Sequence, residues 1–547
     1  MHFKFTKQHL NIREQKIQRF LEILPGLTSW TILIGMTSLS FLKPITAAIF
    51  IIAFEFYWLL RLLYLTIFLI LSYYLLIAER STDWMAMIRS VDDLDRHLKN
   101  FSETTEKIKL SKRLVSHFHH RELRNLQRSR KFPPLSKDIY HLVILPIIKE
   151  SREIVEPSVE SLGHQQFPAD RILVVFALED RAKEEIKESV FTMEKKYKNA
   201  FWDTLTVVHP SNLPGEARVK GANVTYAAKK AAEYFQAKGI PFENIVVSCF
   251  DSDTVVGPEY FSALTYYFMI TPNRIQSSFQ PIPVYHNNIW NVPGFARVIE
   301  TGSSFFQLVE ATNPEKLVTF SSHSMSFKAL VDVNYWPVDM ISDDSAIYWK
   351  SFIHYDGKYQ VVPMYITVSM DIAATDRWGE TIKSVYKQKR RWAWGVENFP
   401  IVVRAFLKSK KISLYNKFRY GFKLFEGHIS WATWGFLLSI IGWIPPFFAE
   451  REFASSVVYY NAPLVIGTIF NLALLSLVTS IFLSIELLPR QTLRLPLRKK
   501  IEHAVEWLMI PFILVFFNSL PALDAQTRLM LGRYMEFWVS DKKRKAL

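Results

Sequence analysis

Three short stretches hold residue types that could do chemistry on an anionic, ring-shaped molecule. In "VVSCFDSDTVVGPEYF", Asp251 and Asp253 follow at once on an apolar run. Two carboxylates one residue apart at the end of a buried strand can share a hard divalent cation, which typically takes a few carboxylates plus substrate phosphate oxygens. In "VDMISDDSAIYWK", Asp343 and Asp344 open an amphipathic stretch. Acids in a first helical turn favour the helix dipole and cap its amides, and one of them could also be a general base for an attacking hydroxyl. In "SVYKQKRRWAWG", Gln388 stands three and four positions before Arg391 and Trp392, with Arg390 between, so these residues are helical neighbours. Arginine suits bidentate contact with phosphate and tryptophan offers a flat face to a sugar ring. The same composition also fits an amphipathic helix lying on a membrane.

These stretches need a scaffold, and the sequence between about Tyr140 and Tyr365 supplies one. Short apolar runs ("YHLVILPI", "RILVVFAL", "LTVVHP", "NIVVSCFDSD", "RIQSSFQP", "YQVVPMYITVSM") alternate with amphipathic stretches. Strands separated by helical patterns predict an α/β domain with a mainly parallel sheet, whose ligands bind at the carboxyl ends of the strands. The Asp251 and Asp253 pair sits at such an end.

Composition adds a membrane. The 547 residues are 49% hydrophobic and 15% aromatic, high for a wholly soluble chain. From Leu27 to Ile77 the sequence is almost continuously apolar. As helix it would run about 75 Å, more than twice the roughly 30 Å hydrocarbon core, so two crossings are expected. The turn falls at Lys43-Pro44 or near Glu55; the second position, which leaves Glu55 interfacial, is slightly preferred. Three further apolar segments, about 429–448, 464–488 and 505–520, are long enough to span. Three crossings would carry the basic "DKKRKAL" to the far side, so a re-entrant last segment or a further crossing stays open. The formal charge of +15 gathers beside the apolar runs, as the positive-inside rule describes, and no nucleic-acid-binding motif spacing is present. No nucleic-acid partner is expected. Cys249 is the single cysteine, which excludes an intrachain disulfide. The charged N-terminus, lacking a small-residue cleavage site, reads as a cytoplasmic tail.

The ordered set of strand, Asp-x-Asp, acidic pair and Gln-x-x-Arg-Trp ahead of membrane helices resembles the membrane-embedded family 2 glycosyltransferases, the group of cellulose, hyaluronan and chitin synthases. Gln388, Lys389, Arg390, Arg391 and Trp392 match that family's motif in full. Asp251-Ser252-Asp253 matches its metal and nucleotide motif. Asp344 falls where the family's Thr-Glu-Asp has its catalytic aspartate, although the triplet here is Ser342-Asp343-Asp344. The resemblance implies a GT-A (Rossmann-like) fold, a bound Mg2+ or Mn2+ on Asp251 and Asp253, and catalysis by Asp344 with Asp343 beside it. It places Glu150, Glu179, Asp180, Lys220, Asn223 and Asp251 around the nucleotide and diphosphate. His323, in "TFSSHSMSFKAL", and Gln388, Arg390, Arg391 and Trp392 would face the acceptor or the diphosphate.

The implied layout is a basic cytoplasmic tail (1–26), a transmembrane hairpin (27–78), a helical linker (79–138), the transferase domain (139–378), amphipathic interface helices (379–425), C-terminal transmembrane helices (426–522) and a basic tail (523–547). The catalytic domain would be cytoplasmic in a multi-pass protein. The implied activity is inverting transfer from a UDP- or GDP-sugar to a growing polysaccharide or glycan. Alternatives are single transfer to a lipid carrier, or a non-catalytic nucleotide-binding membrane subunit. Donor, glycan or lipid-linked acceptor and membrane lipid are the expected partners; partner subunits stay open.

Overall fold

The protein is described from a computed structural model, covering residues 3–100, 110–445, 448, 457–488, 497–539, 542 and 544. Its centre is an eight-stranded sheet of β1 (Tyr140–Ile147), β2 (Ile172–Glu179), β3 (Asp203–His209), β4 (Ile245–Cys249), β5 (Val255–Val256), β6 (Ser277–Val284), β7 (Ser324–Ser326) and β8 (Gln360–Ser369). The spatial order is β3-β2-β1-β4-β7-β6-β8-β5. β1 to β4 pair in parallel, as do β6 and β8, while β7 and β5 run against their neighbours. The expected α/β domain with a mainly parallel sheet is present, and the six predicted strands match β1–β4, β6 and β8. β5 and β7, of two and three residues, are too short to leave a period in the sequence.

β2 and β4 are buried along their whole length because helices cover both faces. One face packs against the Lys220–Ala237, Asp343–His354 and Asn398–Lys408 helices, the other against Arg152–Gly163, Glu184–Tyr197 and Tyr260–Ile270. This register puts the ends of β1, β2, β4 and β8 on one rim. Asp251 and Asp371 follow β4 and β8 there, and Lys220 and Asp343 begin their helices nearby.

Among the described residues, three helical segments are long and apolar enough to cross a membrane: Ile12–Leu42, Pro44–Arg80 and Arg498–Met530. The break between the first two falls at Lys43, not near Glu55. Proline is well placed at the first helical position and clashes within an interior, so the second helix starts at Pro44 and carries Glu55 inside it. Of the other apolar segments, the one from about residue 464 falls in the Val457–Leu487 helix, and residues from Ile429 complete the Leu414–Ser439 helix. Most of "RQTLRLPLRKK" lies outside the described residues.

The polar ends of these segments return to the sheet domain. Thr6 donates to Asp339 at 2.7 Å and Lys7 pairs with Glu397, so the N-terminal segment lies on the domain's side. Glu79, at the end of the second helix, accepts from the Tyr365 amide at 3.1 Å, as a hairpin requires. The 498–530 segment is tied to the domain at both ends, through Arg297–Glu506 at 2.6 Å and Arg390–Asp524 at 2.8 Å. A straight crossing could not meet one domain twice, and the segment is broken by a 3-10 turn and a π-turn at 507–519. Lys542 and Arg544 also lie against the sheet domain.

Gly435 lets the Leu414–Ser439 helix approach the π-turn: a Cβ there would lie 2.6 Å from the Leu514 carbonyl oxygen, whereas Gly427 on the same helix has nothing within 4 Å. Gly435→Ala should cost about 1–3 kcal/mol by overpacking, read as a lower unfolding temperature in detergent, while Gly427→Ala should be neutral or slightly stabilising.

Candidate active site

Lys220 opens its helix with its side chain turned into the rim. The ammonium is 3.0 Å from Asp251 Oδ1, 2.9 and 3.2 Å from the two Asp344 oxygens and 3.9 Å from Asp343 Oδ2. One cation thus joins two acidic stretches that lie 93 residues apart, Asp251 and Asp344 being held by residues of separate elements. Burial alone would raise the Asp251 carboxyl; Lys220 and Lys542 reverse this and hold it below the usual carboxylate range. Burial works against the Lys220 charge as well, but the three acids hold its pKa well above that of an ordinary lysine. Ser321 donates to Asp251 Oδ2 at 2.5 Å, and Ser322, at φ 61°, accepts from the Asp251 amide at 3.3 Å. A non-glycine residue at positive φ is uncommon and is kept only where its surroundings over-determine it. His323 is buried 4.0 Å from Asp344, its Nδ1 paired with the Phe320 carbonyl at 2.9 Å, and burial lowers its pKa.

Asp253 lies deeper and is fully buried. Its Oδ2 accepts from the Asp371 amide at 2.7 Å and from the Lys542 ammonium at 2.7 Å, while Oδ1 has no hydrogen-bond partner. Arg544 pairs with Asp371 at 3.0 Å and donates to the Asp253 carbonyl at 3.2 Å. Burial and Asp253 raise the Asp371 carboxyl to about 6, against Arg544 and Lys542. Trp538 lies under the ammonium groups of Lys149 and Lys387, and Phe537 under the Arg391 guanidinium. Phe537, Trp538, Lys542 and Arg544 are therefore part of the site. Asp251 and Asp253 fit a hard divalent cation: both are carboxylates, one oxygen of Asp253 is buried without a partner, and Lys542 places a positive charge there. Among the described residues no third metal-ligating side chain joins them, so the remaining ligands would be water or substrate oxygens.

Asp343 and Asp344 differ sharply although adjacent. Asp344 is partly exposed and ion-paired, whereas Asp343 is buried with Oδ2 lacking a hydrogen bond. Burial first, then Asp344, raises the Asp343 carboxyl to about 8, with Lys220 opposing. The turn before them is clamped by Glu397, which accepts from the Ile341 and Ser342 amides at 2.9 and 3.0 Å and from Ser342 Oγ at 2.9 Å. In the Trp378–Ala393 helix, Lys389 and Glu300 form a buried pair at 3.0 Å. The Lys389 ammonium also lies 3.8 Å from the Trp392 ring centre, and Trp392 faces Tyr285 on its side toward the sheet. Gln388 is buried, with its Oε1 unpartnered.

Other residues named from the sequence point elsewhere. Arg390 turns away to Asp524. Asn223 is buried and donates to the Ala177 carbonyl at 2.7 Å, pinning its helix to β2. Glu150 accepts from the Ile148 and Lys149 amides and so caps its own turn. Glu179 pairs with Arg181 at 3.1 Å, and Asp180 is half exposed at 3.8 Å from Lys187. The sequence reading missed Lys542, Arg544, Asp371 and Glu397. Asp371 stands at the end of a predicted strand, the same signal that marked Asp251.

Residues 246–484, from β4 through the acidic pair and Gln388–Trp392, match the family model "Glycosyl transferase family group 2". That match takes in 239 of the 547 residues. It is 25% identical over 271 residues to the poly-beta-1,6-N-acetyl-D-glucosamine synthase of Staphylococcus epidermidis, covering 48% of this chain and 56% of that protein. The synthase of the same name from Staphylococcus aureus strain COL is 35% identical over 92 residues, 16% of this chain and 19% of the relative. The chain thus spans about half the length of the first of these relatives. Among solved structures, the mannosyltransferase PcManGT from Pyrobaculum calidifontis with GDP-Man and Mn2+ overlaps at TM-score 0.37 and 13% identity, over 77% of this chain and 98% of that one. S. aureus TarS 1-349 with UDP-GlcNAc overlaps at 0.35 and 14%, over 74% and 95%.

The Asp343 carboxyl carries a pH signature. Its folded pKa, about 8, lies above its ordinary 3.8, so the stability it contributes is fully present below the ordinary value and is lost as pH rises through the folded one. Asp343→Asn should therefore flatten the fall in unfolding temperature between roughly pH 5 and 8, measured in one buffer series; an unchanged slope would show that Asp343 ionises freely.

Proposed function

We propose that the protein is a membrane-bound inverting glycosyltransferase that moves a sugar from a UDP- or GDP-linked donor to a growing polysaccharide or glycan. The observation that carries this reading is the Lys220 ammonium, which holds Asp344 and Asp251 within 3.2 Å of one charge. It brings a partly exposed carboxylate, suited to take a proton, beside carboxylates suited to a diphosphate-bound cation. The match to the family 2 region and to polysaccharide synthases supports the same reading.

In the proposed step the acceptor hydroxyl oxygen attacks the anomeric carbon and its proton passes to Asp344. The bond from that carbon to the diphosphate oxygen breaks, and the electron pair leaves with the nucleoside diphosphate. A cation on Asp251 and Asp253, magnesium or manganese, would neutralise the departing charge. Arg391 adds a fixed positive charge, and Trp392, fixed between Lys389 and Tyr285, offers a ring face to the acceptor. Asp343 is better suited to shape the turn than to act as base, because it is buried and holds its proton. The catalytic domain is assigned to the cytoplasmic side, where the basic segments flanking the apolar helices favour it.

Release of nucleoside diphosphate from a panel of UDP- and GDP-sugars by the detergent-purified chain tests the reading. Turnover of one donor is expected, stopped by chelator and lowered about 10²–10⁴-fold by Asp344→Asn with donor binding kept; donor binding without any turnover across acceptors would support the non-catalytic reading instead. Lys542 competes with a cation for Asp253, so Lys542→Ala should lower the manganese concentration giving half-maximal turnover several-fold, and a rise would assign the ammonium to donor binding.

A further inference from the structure

A cavity of about 230 Å³ lies between the N-terminal segment and the 334–339 loop. It is separate from the acidic rim: Thr225 and Lys229, which line it, sit five and nine residues after Lys220, about 140° and 180° around the same helix. Its wall is rich in donors. Lys229 is exposed beside the Tyr335 ring, and the Lys350 ammonium donates to the Asn334 and Tyr335 carbonyls at 2.9 and 2.7 Å. Those two carbonyls belong to consecutive non-glycine residues at φ 57° and 58°, a strained pair that Lys350 holds in place. Trp336 Nε1 is buried without a hydrogen-bond partner. The one carboxylate in the wall, Asp339, is already engaged by Thr6. Burial lowers the Lys350 pKa to about 8, with Asp339 opposing and Lys229 adding to the fall.

We infer that this cavity binds a phosphate group, free or on a small organic body, between Lys229 and Lys350, with the body against Trp336. Phosphate offers the several acceptor oxygens that two ammonium groups and an indole N–H require. The volume is below the roughly 300 Å³ at which pockets for larger ligands begin, so a nucleotide sugar does not fit. The wall is also mechanically continuous with the acidic rim. The Val338 carbonyl accepts from the Ala217 amide at 2.9 Å, and the Pro337 carbonyl lies so close to Gly221, next to Lys220, that a Cβ there would be 2.3 Å away. Asp339 is four residues before Asp343. An occupant would thus bias the setting of Lys220 and the acidic pair.

The test is thermal unfolding of the full detergent-solubilised chain, a readout independent of transfer, titrated with inorganic phosphate, glucose 6-phosphate and, at matched ionic strength, sodium chloride. Saturable stabilisation by one or both phosphates but not chloride is expected, the stronger of the two naming the source. Lys229→Ala, a change at an exposed helical position, should raise the half-saturating concentration about tenfold, and Trp336→Phe should weaken the ester more than the free ion. Equal stabilisation in wild type and Lys229→Ala, or equal effects of chloride and phosphate, would overturn the assignment.

Discussion

The Lys220 ammonium is the contact on which the site depends. Asp251, Asp343 and Asp344 come from the ends of a strand and a helix that meet only because the sheet brings them to one rim, and like charges so close would repel strongly in a pocket poor in water. One buried cation reconciles two of them, and the third keeps its proton. Helix, strand end and acidic turn are therefore adjusted to a common charge balance. Removing a partner from such a network leaves an uncompensated buried charge, which costs more than the pair contributes.

Much of this was legible in the sequence. The six longer strands announced themselves because they are apolar runs bounded by polar stretches; residue type and spacing marked Asp251, Asp253, the Asp343 and Asp344 pair and the Gln388–Trp392 stretch, and the family resemblance singled out Asp344. What escaped had physical reasons. β5 and β7 are shorter than any period, and Lys542 and Arg544 read as positive-inside charge because their partners, Asp253 and Asp371, lie far away in sequence. Asn223, Glu150 and Arg390 were expected at the site by position in a motif, yet each bonds a nearer backbone group or acid. Pro44, which breaks the hairpin, outweighed Glu55 because proline cannot donate to the turn before it.

The Trp378–Ala393 helix shows how a motif acquires rigidity. Lys389 stands at an unspecified place within Gln-x-x-Arg-Trp, yet it carries the buried bond to Glu300 that ties this helix to the Gly294–Ala311 helix. The same ammonium lies against Trp392, so the aromatic face is fixed by an ion pair whose far partner belongs to another element. A neutral residue at 389 would leave Glu300 as a bare buried carboxylate, and the tryptophan would lose its stop.

The tail contacts also impose an order on biosynthesis. The acids Asp251, Asp253 and Asp371 are all made by residue 371, while Arg544 bonds a residue 291 positions earlier in the chain. Until Lys542 and Arg544 are made, Asp253 and Asp371 lack these two cationic partners, while Lys220 is already in the chain for Asp251. Neutralisation of Asp253 and Asp371 by Lys542 and Arg544 can therefore begin only after the sheet that presents these acids has been made.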